Sequence, residues 1–504
     1  MKELLDQYLS IRKRLKAYEY ALYLISWDSE TEAPSGCFDY RGEQIGVLVE
    51  ESYKIETSKE YVHLIDELYK NRQELESDLR HEIQEVKKHI DKTKKIPMNQ
   101  YIAFQVLLSK SPAIWADAKN KNDFSLFKPT LKEIIAFLRD YIHYLETDDC
   151  IGYNILLDEY EPGMTIEDYD QFFGELKTRL VPFVKQVLAK AKNQTNPLSQ
   201  FSFPVNEQKK FCTYLQDVLG FNRTYGLMKE SEHPFTSGSG STDVRFTNHY
   251  YEDNVVSAIF SAIHEMGHGL YEQQCDPKYN GTFNQGGASL ALHESQSRFY
   301  ENVVGRSYEF WMKHYPQLQQ QFPKQLEHLS LNDFYQAINQ VKVSYIRTDA
   351  DELTYSLHIM LRYDLEKAIF VEGLSIDELE SKWNALFYEY FGLEVPSVKQ
   401  GVLQDIHWAG GMFGYFPTYA LGSAYSAQIF HHMKKDLSFK EVMASGNTKP
   451  INEWLKTKIH RYAASKYPKE IIREAIGEDF NVKYYVDYLI NKYSHLYGIS
   501  DYEN

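Results

Sequence analysis

The chain has 504 residues, with 55 Lys and Arg against 71 Asp and Glu, a formal net charge of -16. Such a balance lacks the clustered positive charge of a nucleic-acid binder or a basic membrane-surface protein, and 43% hydrophobic with 15% aromatic residues excludes a disordered or collagen-like chain. Only 16 Pro and 26 Gly over this length disfavour a turn-rich β sandwich and favour long helices.

In chain order, Leu4, Leu5, Tyr8, Leu9, Ile11 and Leu15 predict a first amphipathic helix. No apolar run follows the lone early lysine, and no stretch approaches the roughly 18 apolar residues of a membrane span, so neither a secretory leader nor a membrane segment is expected. Leu75, Leu79, Ile83, Val86 and Ile90 predict a second helix stopped by Pro97. The basic run Lys87 to Lys95, interrupted by acid, reads as its solvated end. Helical spacing returns over Ile166–Ala191, Asp333–Glu372 and Ile451–Tyr497. The polar stretch 193–208, with Pro197 and Pro204, reads as a surface connection inside one peptidase unit spanning 1–504. Beyond a Ser237-Gly-Ser-Gly-Ser loop, Asp243-Val-Arg-Phe-Thr-Asn-His alternates like a short strand. The four cysteines, Cys37, Cys150, Cys212 and Cys275, form no CxxC pair and read as reduced thiols of a cytoplasmic protein.

The chemistry concentrates at His264-Glu265-Met266-Gly267-His268. With 17 His in the chain, chance gives ~0.6 His pairs at this spacing and roughly 0.05 with Glu in second place. Asn254 is placed to cap a helix whose Val255, Ile259, Ile263, Met266 and Leu270 form one apolar stripe, with both histidines on the other side. Two imidazoles one turn apart can grip one divalent ion, with Glu265 beside a bound water. A catalytic site needs a third ligand. Ser289-Leu-Ala-Leu-His-Glu-Ser-Gln-Ser-Arg-Phe predicts a second helix, in which Glu294 is the expected ligand and His293 the rival. Arg298, one turn on, is placed to orient Glu294. Zinc is the expected ion, one per chain, with cobalt or manganese as alternatives. No GxSxG elbow, nucleophile-type cysteine or phosphate-binding GxxxxGK[ST] pattern is present.

The sequence resembles the thermostable carboxypeptidase family typified by carboxypeptidase Taq. The resemblance rests, in order, on Trp27-Asp28, Glu161-Pro-Gly-Met, His233-Pro-Phe, Asp243-Val-Arg-Phe-Thr, the motif at His264, His293-Glu-Ser-Gln, Ile346-Arg-Thr-Asp-Ala-Asp and Gly401-Val-Leu-Gln-Asp-Ile-His-Trp. One departure is Ala33-Pro34 where Met-Pro is expected. The resemblance implies a mainly α, two-lobed fold similar to neurolysin and angiotensin-converting enzyme, with a deep groove and a small β-sheet at its edge. It implies a homodimeric metallocarboxypeptidase that takes single residues from peptides with a free C-terminus.

Glu265 is then the general base and acid, and Arg347 the anchor for the α-carboxylate, rather than an ion-pair partner of Asp351. Tyr419, in preference to Tyr415, steadies the oxyanion, and His407 and His233 donate hydrogen bonds to substrate or intermediate. A neurolysin-type endo-oligopeptidase and a non-catalytic peptide-binding protein of the same fold are the competing readings; the intact metal motif disfavours the latter.

Overall fold

Leu75, Ile83 and Ile90 are buried together with Tyr8, Leu15, Tyr61, Leu64, Ile65 and Leu68, while Leu79 and Val86 pack partly buried against them. This N-terminal core joins helices Lys2–Thr31, Lys59–Lys70 and Ser77–Lys95, as the four- and three-residue spacing of the apolar positions requires. The chain is seen in a computed structural model, which describes residues 1–192 and 194–499. It divides into two compact units. The first comprises Met1–Thr93, Leu198–Tyr335 and His432–Asp479, and the second Lys94–Pro197, Gln336–His431 and the chain from Phe480 onward.

The first unit holds the only sheet among the described residues. Strands β1 (Gly226–Glu230), β2 (Thr236–Gly238) and β3 (Val244–Asn248) lie in the order β1-β3-β2, with β1 parallel and β2 antiparallel to β3. The strand read from the alternation near Val244 is therefore central. Its two partners were not legible, and Ser237 and Gly238, read as loop, end β2. Behind the sheet runs the helix Val255–Gln274, which carries the His264 motif; Asn254 caps it by accepting from Ser257 N. Burying Ile259, Ile263, Met266 and Leu270 contributes at most about 1.5–3 kcal/mol each. Helix Leu290–Arg298, capped by Ser289 and continued by a wider turn over Phe299–Gly305, packs against the motif helix.

The second unit is built around Glu352–Phe370, a helix buried on nearly every side, together with Lys128–Leu145, Ile166–Ala191, Leu379–Phe391 and Lys483–Tyr497. Two of the stretches with helical spacing each hold more than one helix. Asp333–Glu372 is not one helix: the first part ends at Ile338, and the second starts at Glu352 because the Asp351 side chain accepts from Leu353 and Thr354 N. Ile451–Tyr497 is likewise three helices, Lys449–Lys458, Pro468–Ile476 and Lys483–Tyr497, interrupted at Ala463 (φ 47°) and Gly477. Of the predicted connection at 193–208, Asn193 lies outside the described residues. Pro197–Gln200 forms a short turn, and a new helix, Val205–Leu219, begins after Pro204.

Candidate active site

In the first unit, His264 and His268 from the motif helix and Glu294 from the following helix bring their ligand atoms within 4.8 Å of one another. Glu294 Oε2 lies 3.6 Å from His264 Nε2 and 3.5 Å from His268 Nε2. A tetrahedral ion with bonds of about 2.1 Å holds its ligand atoms about 3.4 Å apart. The donor set therefore fits a divalent metal in type, the two carboxylate–imidazole separations match that spacing, and Glu294 rather than His293 is the side chain of the second helix that converges on the two histidines.

The groups around the triad fix its charge. Arg298 Nε donates to Glu294 Oε1 at 2.7 Å and Ser297 Oγ to Glu294 Oε2 at 3.1 Å. Burial would raise the Glu294 pKa, but Arg298, His264 and His268 outweigh it and hold this carboxyl well below the usual range. His264 Nδ1 lies 2.9 Å from Glu301 Oε2, and Glu301 also accepts from Arg298 Nη1 at 3.2 Å and Arg306 Nη2 at 3.3 Å. Burial lowers and the carboxylates of Glu294 and Glu301 raise the His264 pKa, with a net rise. Burial takes His268 down to about 3, so its ring is neutral and can offer a lone pair. Its Nδ1 lies 2.6 Å from His293 Nδ1.

Glu265 is buried, and burial raises its pKa above the ordinary carboxylate value. The hydroxyl of Thr236 donates to Glu265 Oε2 at 2.6 Å and approaches its carbonyl oxygen at 2.9 Å. Thr236 opens the edge strand β2, opposite Phe246. The adjoining His233 is exposed; its carbonyl accepts from Ser231 Oγ.

A second cluster lies in the second unit. Arg347 is buried, and its Nε and Nη2 donate to Asp405 Oδ1 at 3.1 and 3.0 Å while Nη1 donates to Tyr355 Oη at 3.1 Å. Asp405 Oδ2 takes the buried Arg362 through Nε at 2.8 Å and through Nη2. Two guanidiniums thus share one carboxylate, leaving one positive charge over. Asp351 caps its helix instead of pairing with Arg347. The guanidinium carbon of Arg347 stands 5.0 Å from the Tyr419 ring centroid, and His407 Nε2 lies 3.4 Å from Tyr419 Oη. His407 and Tyr415 rings are 5.3 Å apart, as are Tyr415 and Tyr419. Burial and the Arg347 charge lower His407 to about 4, and burial raises Tyr419, so one is a neutral imidazole and the other a neutral phenol.

The family model of the carboxypeptidase Taq (M32) metallopeptidases matches residues 7–493. The chain is 42% identical over 492 residues to carboxypeptidase 1 of Bacillus subtilis (strain 168), covering 97% of this chain and 98% of that one. The chain belongs to the carboxypeptidase Taq family. It is 34% identical to thermostable carboxypeptidase 1 of Pyrococcus furiosus over 97% of this chain and 98% of that one. The crystal structure of an M32 carboxypeptidase from Deinococcus radiodurans R1 superimposes with a TM-score of 0.94 at 31% identity, over 99% of this chain and 100% of that one. The enzyme is thus a metallocarboxypeptidase of mainly helical fold. Sequence reasoning about this carboxypeptidase missed Glu301, Glu272 and Thr236. The first sits seven residues beyond Glu294, where a ligand helix offers its next inward carboxylate; Thr236 left no signal without the strand register.

Proposed function

We propose that this metallocarboxypeptidase hydrolyses the last peptide bond of peptides with a free C-terminus, using one zinc ion per chain held by His264, His268 and Glu294. Cobalt and manganese suit the same two nitrogens and one oxygen. The observation that carries the reading is the convergence of those three ligand atoms within 4.8 Å of one another, with both carboxylate–imidazole separations near that of a tetrahedral ion and Glu265 on the same helix as the histidines. When bound, the ion supplies Lewis-acid chemistry that activates a water and polarises the scissile carbonyl. Glu265 accepts the water's proton and returns it to the leaving amine, and its raised pKa suits both directions. Thr236 restrains the carboxylate during this exchange.

Arg347 anchors the substrate α-carboxylate. Asp405 and Tyr355 take three of its five N–H groups, which leaves one on each terminal nitrogen, the pair a carboxylate binds bidentately. Tyr419 donates its hydroxyl to the oxyanion, with Tyr415 beside it for substrate binding, and His407, neutral, donates or accepts according to its tautomer. His233 lines the approach beside the edge strand β2, a kind of element that suits an extended peptide. We assign a homodimer on the family resemblance, and a cytoplasmic location on four scattered cysteines that form no CxxC pair; among the described residues no helix is long and apolar enough to cross a membrane. Glu265→Gln tests the chemistry. The variant should bind zinc within about twofold of wild type yet lose about 100-fold or more in kcat; full activity in the metal-loaded variant would overturn the assignment.

A further inference from the structure

The two metal-site imidazoles are steadied from behind in different ways. His264 Nδ1 meets the carboxylate of Glu301 directly. His268 Nδ1 meets a second imidazole, His293 Nδ1, at 2.6 Å, and His293 Nε2 lies 2.8 Å from Glu272 Oε1. Glu272 sits one turn beyond His268 on the motif helix, so His293, from the neighbouring helix, bridges two residues of the same helix face.

Only one arrangement of protons lets this chain present a lone pair at His268 Nε2. His268 carries its hydrogen on Nδ1 and donates it; His293 accepts at Nδ1, carries its hydrogen on Nε2, and donates to Glu272. A doubly protonated His293 would either set N–H against N–H or force His268 to point Nε2–H at the ligand position. The Glu272 carboxylate therefore selects the tautomer of two rings. It is itself held: Oε1 accepts from Gly287 N at 3.1 Å, and Ala288 N donates to Tyr271 Oη at 3.2 Å. That turn must come close. A Cβ on Gly287 would stand 2.5 Å from His293 Cδ2 and 2.8 Å from Tyr271 Cε1, distances that no side chain tolerates without displacing the imidazole.

We infer that Glu272 and His293 form a positioning pair for the metal ligand His268, fixing its tautomer and ring plane, and that the Gly286–Gly287 turn latches this pair in place. The inference rests on the metal-centre reading above. It gives the histidine beside Glu294 a role other than ligation, and it makes a loop outside the motif part of what sets metal affinity. Outer groups of this kind alter metal affinity by about 10–100-fold.

The test uses full-length His293→Gln, Glu272→Gln and Gly287→Ala proteins, each first shown to be folded without metal by near-ultraviolet circular dichroism. Zinc and cobalt dissociation constants are then measured by competition with a chromophoric chelator. The expected result is one ion per chain in every protein, affinity weakened about 10–100-fold in the variants, and peptidase activity recovered as the metal concentration is raised. Glu272→Gln is nearly isosteric and tests the pair even where His293→Gln does not fold. Wild-type affinity in the folded variants would overturn the inference, as would a lowered unfolding temperature with unchanged metal affinity. Complete loss of the site in His293→Gln at millimolar metal would also overturn it, by making His293 a ligand. Failure of the metal-centre reading is distinguishable, because wild type would then take up no stoichiometric ion or His264→Ala would bind it unchanged.

Discussion

Gly267 sits inside the HExxH motif, with the backbone of the helix bearing Glu294 close against it. A Cβ there would lie 2.6 Å from Ser297 Cα and 2.8 Å from the Gln296 carbonyl oxygen, about 0.8 Å short of the 3.4 Å at which ordinary contact begins. Both neighbours are backbone, so no side chain can swing away and Gly267→Ala must part the helices. Ser297 is less than one turn from Glu294, and a helix moves as a unit, so Glu294 moves with it. Metal ligands tolerate about 0.2 Å of error, which makes the displacement several times too large for the triad. Two effects oppose each other in stability: Ala in a helix interior gains up to about 1 kcal/mol over Gly, whereas overpacking costs about 1–3 kcal/mol. Metal affinity has no such compensation and should fall by at least about tenfold, the lower end of the loss seen when groups that orient a metal ligand are altered. A chelator competition titration measures the affinity, and urea unfolding of the metal-free protein measures the stability. Wild-type metal affinity, combined with the higher stability that helix propensity alone would give, would refute the close-packing argument.

Thr236→Val should lower kcat by about tenfold or more while leaving zinc affinity within about twofold, and Thr236→Ser should restore most of the rate, since only the hydroxyl reaches Glu265; a valine variant with normal kcat would remove Thr236 from the mechanism. Arg347→Ala should raise KM for peptides with a free C-terminus by about 10–100-fold, the loss of a bidentate charged contact, and leave hydrolysis of amidated peptides as slow as in wild type; an equal effect on both substrates would mean that Arg347 is not the anchor. Burial raises the Glu366 carboxyl from 4.5 to about 7 despite donors at Tyr153 Oη, Trp408 Nε1 and Gly414 N. The folded chain therefore keeps a proton that the unfolded chain has lost, and stability falls as pH rises from about 5 through about 7, by up to about 3 kcal/mol. Denaturant unfolding across that range should show a shallower slope for Glu366→Gln; an equal slope would contradict this.

The parts of the molecule that were legible in its sequence are those where one helix carries the whole signal. His264, Glu265 and His268 lie within a single turn, the apolar stripe from Val255 to Leu270 fixes which way that turn faces, and Asn254 marks where it starts. Glu294 needs one more step, the packing of two antiparallel helices, and spacing along the chain does not separate it from His293, whose imidazole meets His268 at Nδ1 while the Glu294 carboxylate lies near Nε2. What escaped depends on contacts between segments distant in sequence. Thr236 reaches Glu265 only through the β2–β3 register, and Arg347 finds Asp405, 58 residues on, in preference to Asp351, four residues on. The break before Glu352 was hidden because apolar spacing continues across it, and the preference of an Asp351 carboxylate for free helix amides outweighed that periodicity.

The central claim, that a metal held by His264, His268 and Glu294 serves removal of residues from free C-termini, is tested most directly by one digestion. A defined peptide, offered free and C-terminally amidated, is incubated with the zinc-loaded protein and read by mass spectrometry. The free peptide should give a ladder of single C-terminal losses that a chelator abolishes and zinc restores, and the amidated peptide should stay intact. Internal cleavage of both peptides at equal rates, or a ladder that persists in chelator, would contradict the account.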